Sequence, residues 1–524
     1  MLRPLGSQPS FRRPDHTILL TMPGKSEQLC TVSHALGFFK NVGMSAHYNL
    51  SNGTGSPDLQ RVVYAALADV VKKNAILSAI PVNETSPKAY FARLESIDLT
   101  KCVFWKRRTG STSTCIVDPE IEGILQDPFF KTQSGSAENG QQDQGDPELD
   151  AILEEQHNTD FKSNYGDLPF WRLIILQDAR VDSSFTASFI FHHSLGDGAT
   201  GSIFHTFFLE ALNTTLSLPS FLAHSSSFVT IDPNGQLLGP LEQLHPLPIN
   251  PSPRDHRDHR AGRGKELKEW FGNPIQVPLK SHYKTLYFSR ATTSKFAKRC
   301  KHNGVTVTSG LTAMLAGAIF STLPDEVEAL TGIIPINLRP WLNLPANSAN
   351  GAMGSFIDAM KVQVRRSQYE QGNDDQPGKV SSLPAARHTA NEMKTYLTAN
   401  ASLTGEPYTA IAPFKFIPNI ATVFTSLLDT TRDAAFEVSN LGRFTPPPAD
   451  QLRHGNDDEP HWRIGRMAFS RSAIAFGAAV TTSVVTGEDG GLTLGVCWQD
   501  GIVEGVVVEG VVKGVWEGVG GRGF

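Results

Sequence analysis

Two apolar runs, "LPFWRLIIL" (168–176) and "FTASFIF" (185–191), flank the short polar stretch "QDARVDSS", and the second leads straight into "HHSLGDGATGSIFHTFF". In the second run Phe185, Ala187, Phe189 and Phe191 alternate with the other side chains, which is the period of a strand. Two such runs joined by a short polar link predict an antiparallel hairpin. After "SLGDG" the apolar side chains Ile203, Phe204, Phe207, Phe208, Ala211 and Leu212 recur at helical spacing. His192 and His193 therefore stand at a strand-to-helix turn.

Elsewhere helices and strands alternate without an obvious repeat. "PDLQRVVYAALADVV" (57–71) has a helical apolar face, with Ser56 read as N-cap and Pro57 as the first helical residue. "KAYFARLESIDL" and "CVFWKR" read as strands. Residues 131–147, polar and glycine-containing, read as a loop or insert. From about 217 to 280 the chain is rich in Ser, Pro, Gly and His and reads as a long crossover. Beyond it come the strand "YKTLYFSR", the helices "ATTSKFAKRCKHNG" and "TSGLTAMLAGAIFSTL", and strands at "TGIIPINLRPWL", "AAFEVSNLGRF", "AIAFGAAVTTSVVTG" and "GLTLGVCWQDG". The expectation is α+β, in two lobes of mostly antiparallel or mixed sheets: residues 1–225, a linker over 226–280, and residues 281–524.

Composition narrows the function. A net charge of −5 over 524 residues disfavours nucleic acid or an anionic membrane as the main partner. Five scattered cysteines, Cys30, Cys102, Cys115, Cys300 and Cys497, fit neither a disulfide framework nor a zinc motif, so no metal is expected. No apolar stretch reaches the length of a spanning helix. His256 and His259, in "DHRDHR", read as a solvated linker rather than as metal ligands.

The HHxxxDG string arises by chance in roughly two chains per thousand of this size, so its position adds needed weight. The plain structural reading makes Asp197 an N-cap and the histidines edge residues. The chemical reading uses His193 as general base, His192 as its support, Asp197 as a structural pin and Gly198 as room for close approach. A neutral imidazole suits proton removal from a hydroxyl near neutral pH. Rival motifs are weaker. A nucleophile elbow needs glycine where His192 stands, "GKS" at 24–26 lacks the first glycine of a phosphate loop, and the terminal "GVGGRG" has no helix after it.

On "FHHSLGDGATG" preceded by "LPFWRLIIL", with "LRPLG", "EQLCTVSHALGFFKNVGMSAHY", "LRPWL", "NGAMGSF" and "VSNLGRF" in support, the chain resembles the fungal alcohol acetyltransferase family. That family lies within the CoA-dependent, chloramphenicol acetyltransferase-like superfamily. The resemblance implies two such lobes with a tunnel between them, acetyl-CoA or another acyl-CoA as cosubstrate with no bound cofactor, and a small-molecule alcohol as acceptor. His193 would deprotonate the hydroxyl, and Asp197 would pair with an arginine, for which Arg339 and Arg172 are equal candidates. Ser439 and Asn440 would help stabilise an oxyanion. An amine acceptor, a condensation reaction on carrier-bound substrates and a non-catalytic metabolite-binding role are the alternatives. A cytoplasmic monomer is expected, with peripheral attachment to a membrane or lipid droplet left open. Two stretches depart from the family pattern: about twenty residues after "RPLG", which read as a loop, and the terminus, where glycine at close intervals, costing about 1 kcal/mol per helical position relative to alanine, replaces the helix that the family pattern expects.

Overall fold

The computed structural model describes residues 18–21, 24–51, 58–109, 145–164, 166–178, 183–217, 226–250, 267–371, 380–399, 401–447 and 460–522. His256, His259, Cys115, Ser56 and most of the 131–147 stretch lie outside them. Eleven strands build the two principal sheets: β1 (Val42–Ser51), β2 (Val103–Arg107), β3 (Trp171–Gln177), β4 (Ser184–Phe191), β5 (Ser281–Phe288), β6 (Ala329–Asn337), β7 (Ile357–Arg365), β8 (Ala434–Arg443), β9 (His461–Arg471), β10 (Ala478–Thr486) and β11 (Leu492–Gln499). The main helices are α1 (Lys25–Ala35), α2 (Leu59–Lys73), α3 (Pro147–Asn158), α4 (Gly198–Ser217), α5 (Arg290–His302), α6 (Val307–Phe320) and α7 (Gly505–Glu517).

The hairpin expected from the two apolar runs is β3–β4, antiparallel from Trp171 opposite Phe191 to Gln177 opposite Phe185. Every β4 side chain is buried, those of Phe185, Phe189 and Phe191 among the largest in the core. The first sheet runs β9-β1-β4-β3-β2 and the second β5-β11-β10-β8-β6-β7. Both are mixed: β2 with β3, β6 with β8 and β8 with β10 are parallel, and the remaining neighbours antiparallel.

Strand β9 belongs to the second half by sequence and to the first sheet by hydrogen bonding, where it pairs with β1. Val42 of β1 faces Arg471 on one side and Phe191 on the other. Arg471 thus lies two strands, about 10 Å, from the strand end that carries the histidines.

Three local expectations change. Helix α2 starts two residues later than the Pro57 reading, with Asp58 as N-cap accepting from the Arg61 N–H at 3.2 Å. In the N-terminal stretch read as a loop, Ile18–Thr21 is a strand paired with Tyr90–Arg93. The glycine-rich terminus does form the helix α7. A Cβ on Gly510 would come within 2.3 Å of Thr322 and one on Gly514 within 2.6 Å of Ala318. These glycines let α7 lie against α6 while Val507, Val508, Val511, Val512 and Val515 are buried, and that packing offsets the propensity cost.

Candidate active site

Strand β4 ends at Phe191, His193–Leu195 make a short 3₁₀ turn, and α4 starts at Gly198. His192 is buried and holds this turn from behind. Its Nδ1 accepts from the Ser194 backbone N–H at 3.0 Å and lies 2.7 Å from the Ser194 hydroxyl. A backbone N–H can only donate, so Nδ1 is unprotonated and the neutral ring carries its proton on Nε2. That nitrogen lies 3.3 Å from Glu84 Oε1. Burial, with His34 adding to it, pulls the His192 pKa down to about 4, so the ring is neutral at physiological pH.

Asp197 both caps α4 and ties it to the other half of the chain. Its Oδ1 accepts from the Thr200 N–H at 3.2 Å, as the plain structural reading expects. Its two oxygens also take a bidentate pair of hydrogen bonds from Arg339, at 2.8 and 3.0 Å, and Oδ2 accepts from the Phe356 N–H at 3.0 Å. Arg339 donates in addition to the carbonyls of Ala352 and Gly354. Of the two arginine candidates Arg339 is therefore the partner. Arg172 instead donates to the carbonyls of Gln156, Thr159 and Asp160 and stacks over Phe161 at 4.5 Å.

His193 is half-buried, its ring 5.6 Å from that of Phe39. Its Nδ1 is buried with no hydrogen-bond partner among the described residues. In the tautomer that carries its proton on Nδ1, the Nε2 lone pair is available to accept one. Burial lowers the pKa of this ring. The Arg471 guanidinium adds to that, while the residue's own main chain, Asp197 and Glu437 oppose it.

Arg471 and Glu437 form a buried ion pair at 2.7 Å, and Arg471 Nε and Nη2 have no hydrogen-bond partner among the described residues. Strand periodicity puts Ser439 on the same face of β8 as Glu437. Asn440 is occupied elsewhere: its Nδ2 donates to the Thr308 hydroxyl at 3.1 Å and its Oδ1 accepts from the Gly442 N–H at 2.9 Å.

What closes on Gly198 is protein. A Cβ there would meet the Phe469 ring at 2.7 Å and Leu441 at 3.1 Å. A Cβ on Gly196 would strike Thr200 at 2.2 Å. Behind the turn a cleft of about 210 Å³ is lined by Glu27, Phe91, Ser194, Leu237, Gly354 and Phe356 among others.

The sequence reading missed Glu84, His34, Arg471 and Glu437. A usable signal existed for His34. Glu27, Thr31 and His34 recur at four and three residues along α1, a polar stripe on one helix face, and that stripe is buried. Nothing local marks Glu84 or Arg471, whose partners lie far along the chain.

The likeness to solved structures defines the fold as that of the CoA-dependent acyltransferases and condensation domains. The trichothecene 15-O-acetyltransferase TRI3 of Fusarium sporotrichioides superposes with a TM-score of 0.63 at 13% identity, over 97% of this chain and 96% of that one. The first condensation domain of the CDA synthetase superposes with a TM-score of 0.52 at 12% identity, over 97% of both chains. The sequence profile of the alcohol acetyltransferase family matches residues 269–505. A relative named probable alcohol acetyltransferase crmB, from Aspergillus fumigatus, is 42% identical over 94% of this chain and 98% of its own length. A second, probable alcohol acetyltransferase FCK4 of Fusarium pseudograminearum, is 19% identical over 95% of this chain and 94% of its own. The chain belongs to the alcohol acetyltransferase family, and it is an acyltransferase whose acceptor is an alcohol.

Proposed function

We propose that this enzyme transfers an acetyl group from acetyl-CoA to the hydroxyl of a small-molecule alcohol, with His193 as the general base. The observation that supports this most directly is the His193 ring: half-buried, neutral, and carried on a turn anchored by His192 and by the Asp197–Arg339 pair. The Nε2 lone pair takes the alcohol proton as the oxygen attacks the thioester carbon. The C–O bond forms, the carbonyl becomes an oxyanion, and its collapse breaks the C–S bond. The imidazolium then returns the proton to the leaving thiolate, so CoA departs as thiol and no covalent enzyme intermediate forms. General-base help of this kind contributes about 10²–10⁴ in rate.

The acyl-CoA and the alcohol would approach from opposite ends of a passage between the two halves, residues 1–225 and 281–524, joined by the 226–280 linker. Burial, with Arg471 adding to it, keeps the base unprotonated. Ser439, on the strand face of the Glu437 that holds Arg471, is the candidate oxyanion donor, and a well-placed donor is worth about 10²–10³ in rate. Asn440, committed to Thr308 and Gly442, serves as a structural residue. Two further relatives, O-acetyltransferase pigM of Monascus ruber and azaphilone biosynthesis cluster protein M of Aspergillus terreus, support a role in secondary metabolism.

The test is purified enzyme with acetyl-CoA and a panel of alcohols and amines, followed by thiol release and product mass. Ester formation that His193→Ala lowers at least 10²-fold is expected. Thiol release with amines alone, or full activity in His193→Ala, would overturn the proposal.

A further inference from the structure

Behind the histidine turn, His192 meets two titratable groups that the proposed reaction leaves unused, His34 and Glu84. His34 Nδ1 and His192 Nε2 approach the same oxygen, Glu84 Oε1, at 3.1 and 3.3 Å, and all three side chains are 1% exposed. The two rings meet edge to face at 4.4 Å, with Phe161 and Phe170 around them. Backbone donors reveal where the protons sit. The Phe161 N–H donates to His34 Nε2 at 3.1 Å, so the His34 proton is on Nδ1 and points at Glu84. The Ser194 N–H donates to His192 Nδ1, so the His192 proton is on Nε2, the nitrogen that lies 3.3 Å from the same Glu84 oxygen without a well-aligned hydrogen bond. One carboxylate oxygen thus faces two imidazole N–H groups.

We propose that Glu84 is a positioning residue for acyl transfer: it holds His192 in the Nε2–H tautomer, which keeps Nδ1 open to bind Ser194 and so fixes the turn that carries His193. His34 braces the same carboxylate oxygen. In the opposite tautomer His192 would present Nδ1–H to the Ser194 N–H, donor against donor, and a buried polar group would lose its partner. The turn would then be free to shift, and a displacement of about 1 Å at a reacting group can cost on the order of 10² in rate. The inference rests on His193 being the base of the proposed reaction.

The test uses full-length Glu84→Leu, Glu84→Gln and His193→Ala with the acceptor found in the panel above. Glu84→Leu is expected to lower kcat about 10²-fold with both KM values within twofold of the parent. Glu84→Gln is nearly isosteric, and its neutral amide oxygen is a weaker acceptor than a carboxylate, so kcat falls about tenfold. In ¹⁵N-histidine-labelled protein the His192 Nδ1 signal should be that of an unprotonated nitrogen in the parent and of a protonated one in Glu84→Leu. Parent-like kcat in Glu84→Gln would overturn the proposal, as would an unchanged His192 tautomer in Glu84→Leu. Stoichiometric zinc retained by the parent and lost from Glu84→Gln would also overturn it, because the three groups would then be a ligand set. Should His193→Ala keep its activity, the base assignment fails instead, whatever the Glu84 variants do.

Discussion

Arg339 holds Asp197 with two hydrogen bonds, 2.8 and 3.0 Å long, across 142 residues of sequence. Both side chains are almost fully buried, at 2% and 1% exposure. The carboxylate also takes the N–H groups of Thr200 and Phe356, so the pair fixes the start of α4 and the 352–356 segment to each other. That segment comes from the second half of the chain and α4 from the first. The geometry of the histidine turn therefore depends on a link between halves that makes no contact with the base itself.

Removing one partner of such a pair leaves a buried charge alone, which typically costs about 3–5 kcal/mol. Arg339→Met should therefore destabilise the protein by about that amount in urea unfolding. Arg172→Met, which loses hydrogen bonds only to backbone carbonyls, should leave Asp197 paired. Restoring neutrality in Arg339→Met with Asp197→Asn should recover part of the loss. A double variant no more stable than Arg339→Met would show that the charge is not what matters.

The acid limb of activity gives a signed test of the groups around the base. Burial lowers the His193 pKa and Arg471 lowers it further, so kcat/KM should fall only below the ordinary imidazole value of 6.5. Arg471→Met removes a cation, which raises the pKa and moves the limb to higher pH. Glu437→Gln removes an anion and moves it to lower pH. Limbs that shift in the same direction in the two variants would contradict this electrostatic account, and kcat/KM profiles from pH 4.5 to 8 decide it.

How far the sequence disclosed this site follows from how each part is encoded. The β3–β4 hairpin, the turn and α4 are local, and alternation followed by helical spacing was enough to place His192, His193 and Asp197. Arg339 and Arg172 looked equivalent because a pairing across 142 residues leaves no local trace. Glu84 was invisible for the same reason. Gly198 was legible as a point of close approach, but only packing shows that the approaching group is Phe469. The mixed sheets followed from element order only in outline, since nothing in the pattern of β9 sends it to the first sheet. Propensity misled at α7, where glycine argues against a helix and close packing on α6 overrides it.

Glu27 should make stability depend on pH. Burial pushes its carboxyl up to about 8, nearby Glu242 adds to that, and Oε2 of each lacks a partner among the described residues. Between the unfolded value of 4.5 and about 8 the folded state holds a proton that the unfolded state has lost, so stability falls as pH rises. Glu27→Gln cannot ionise and escapes this loss. Its advantage over the parent in urea unfolding should grow between pH 5 and pH 8 by on the order of 2–4 kcal/mol. An advantage that is flat across this range would place the proton elsewhere.

The helix α7 offers a prediction in which propensity and packing oppose each other. Glycine to alanine within a helix ordinarily gains up to about 1 kcal/mol. At Gly514 the added Cβ would lie 2.6 Å from Ala318 Cβ and 3.4 Å from its Cα, both anchored on α6. Neither helix can yield there without separating the buried valines of α7 from their core, and overpacking of this kind costs about 1–3 kcal/mol. Gly505, at the start of the same helix, has open space around its Cβ position. Thermal unfolding should therefore show Gly514→Ala below the parent in Tm and Gly505→Ala at or above it. The opposite order would mean that α7 is held by its own backbone rather than by its fit against α6.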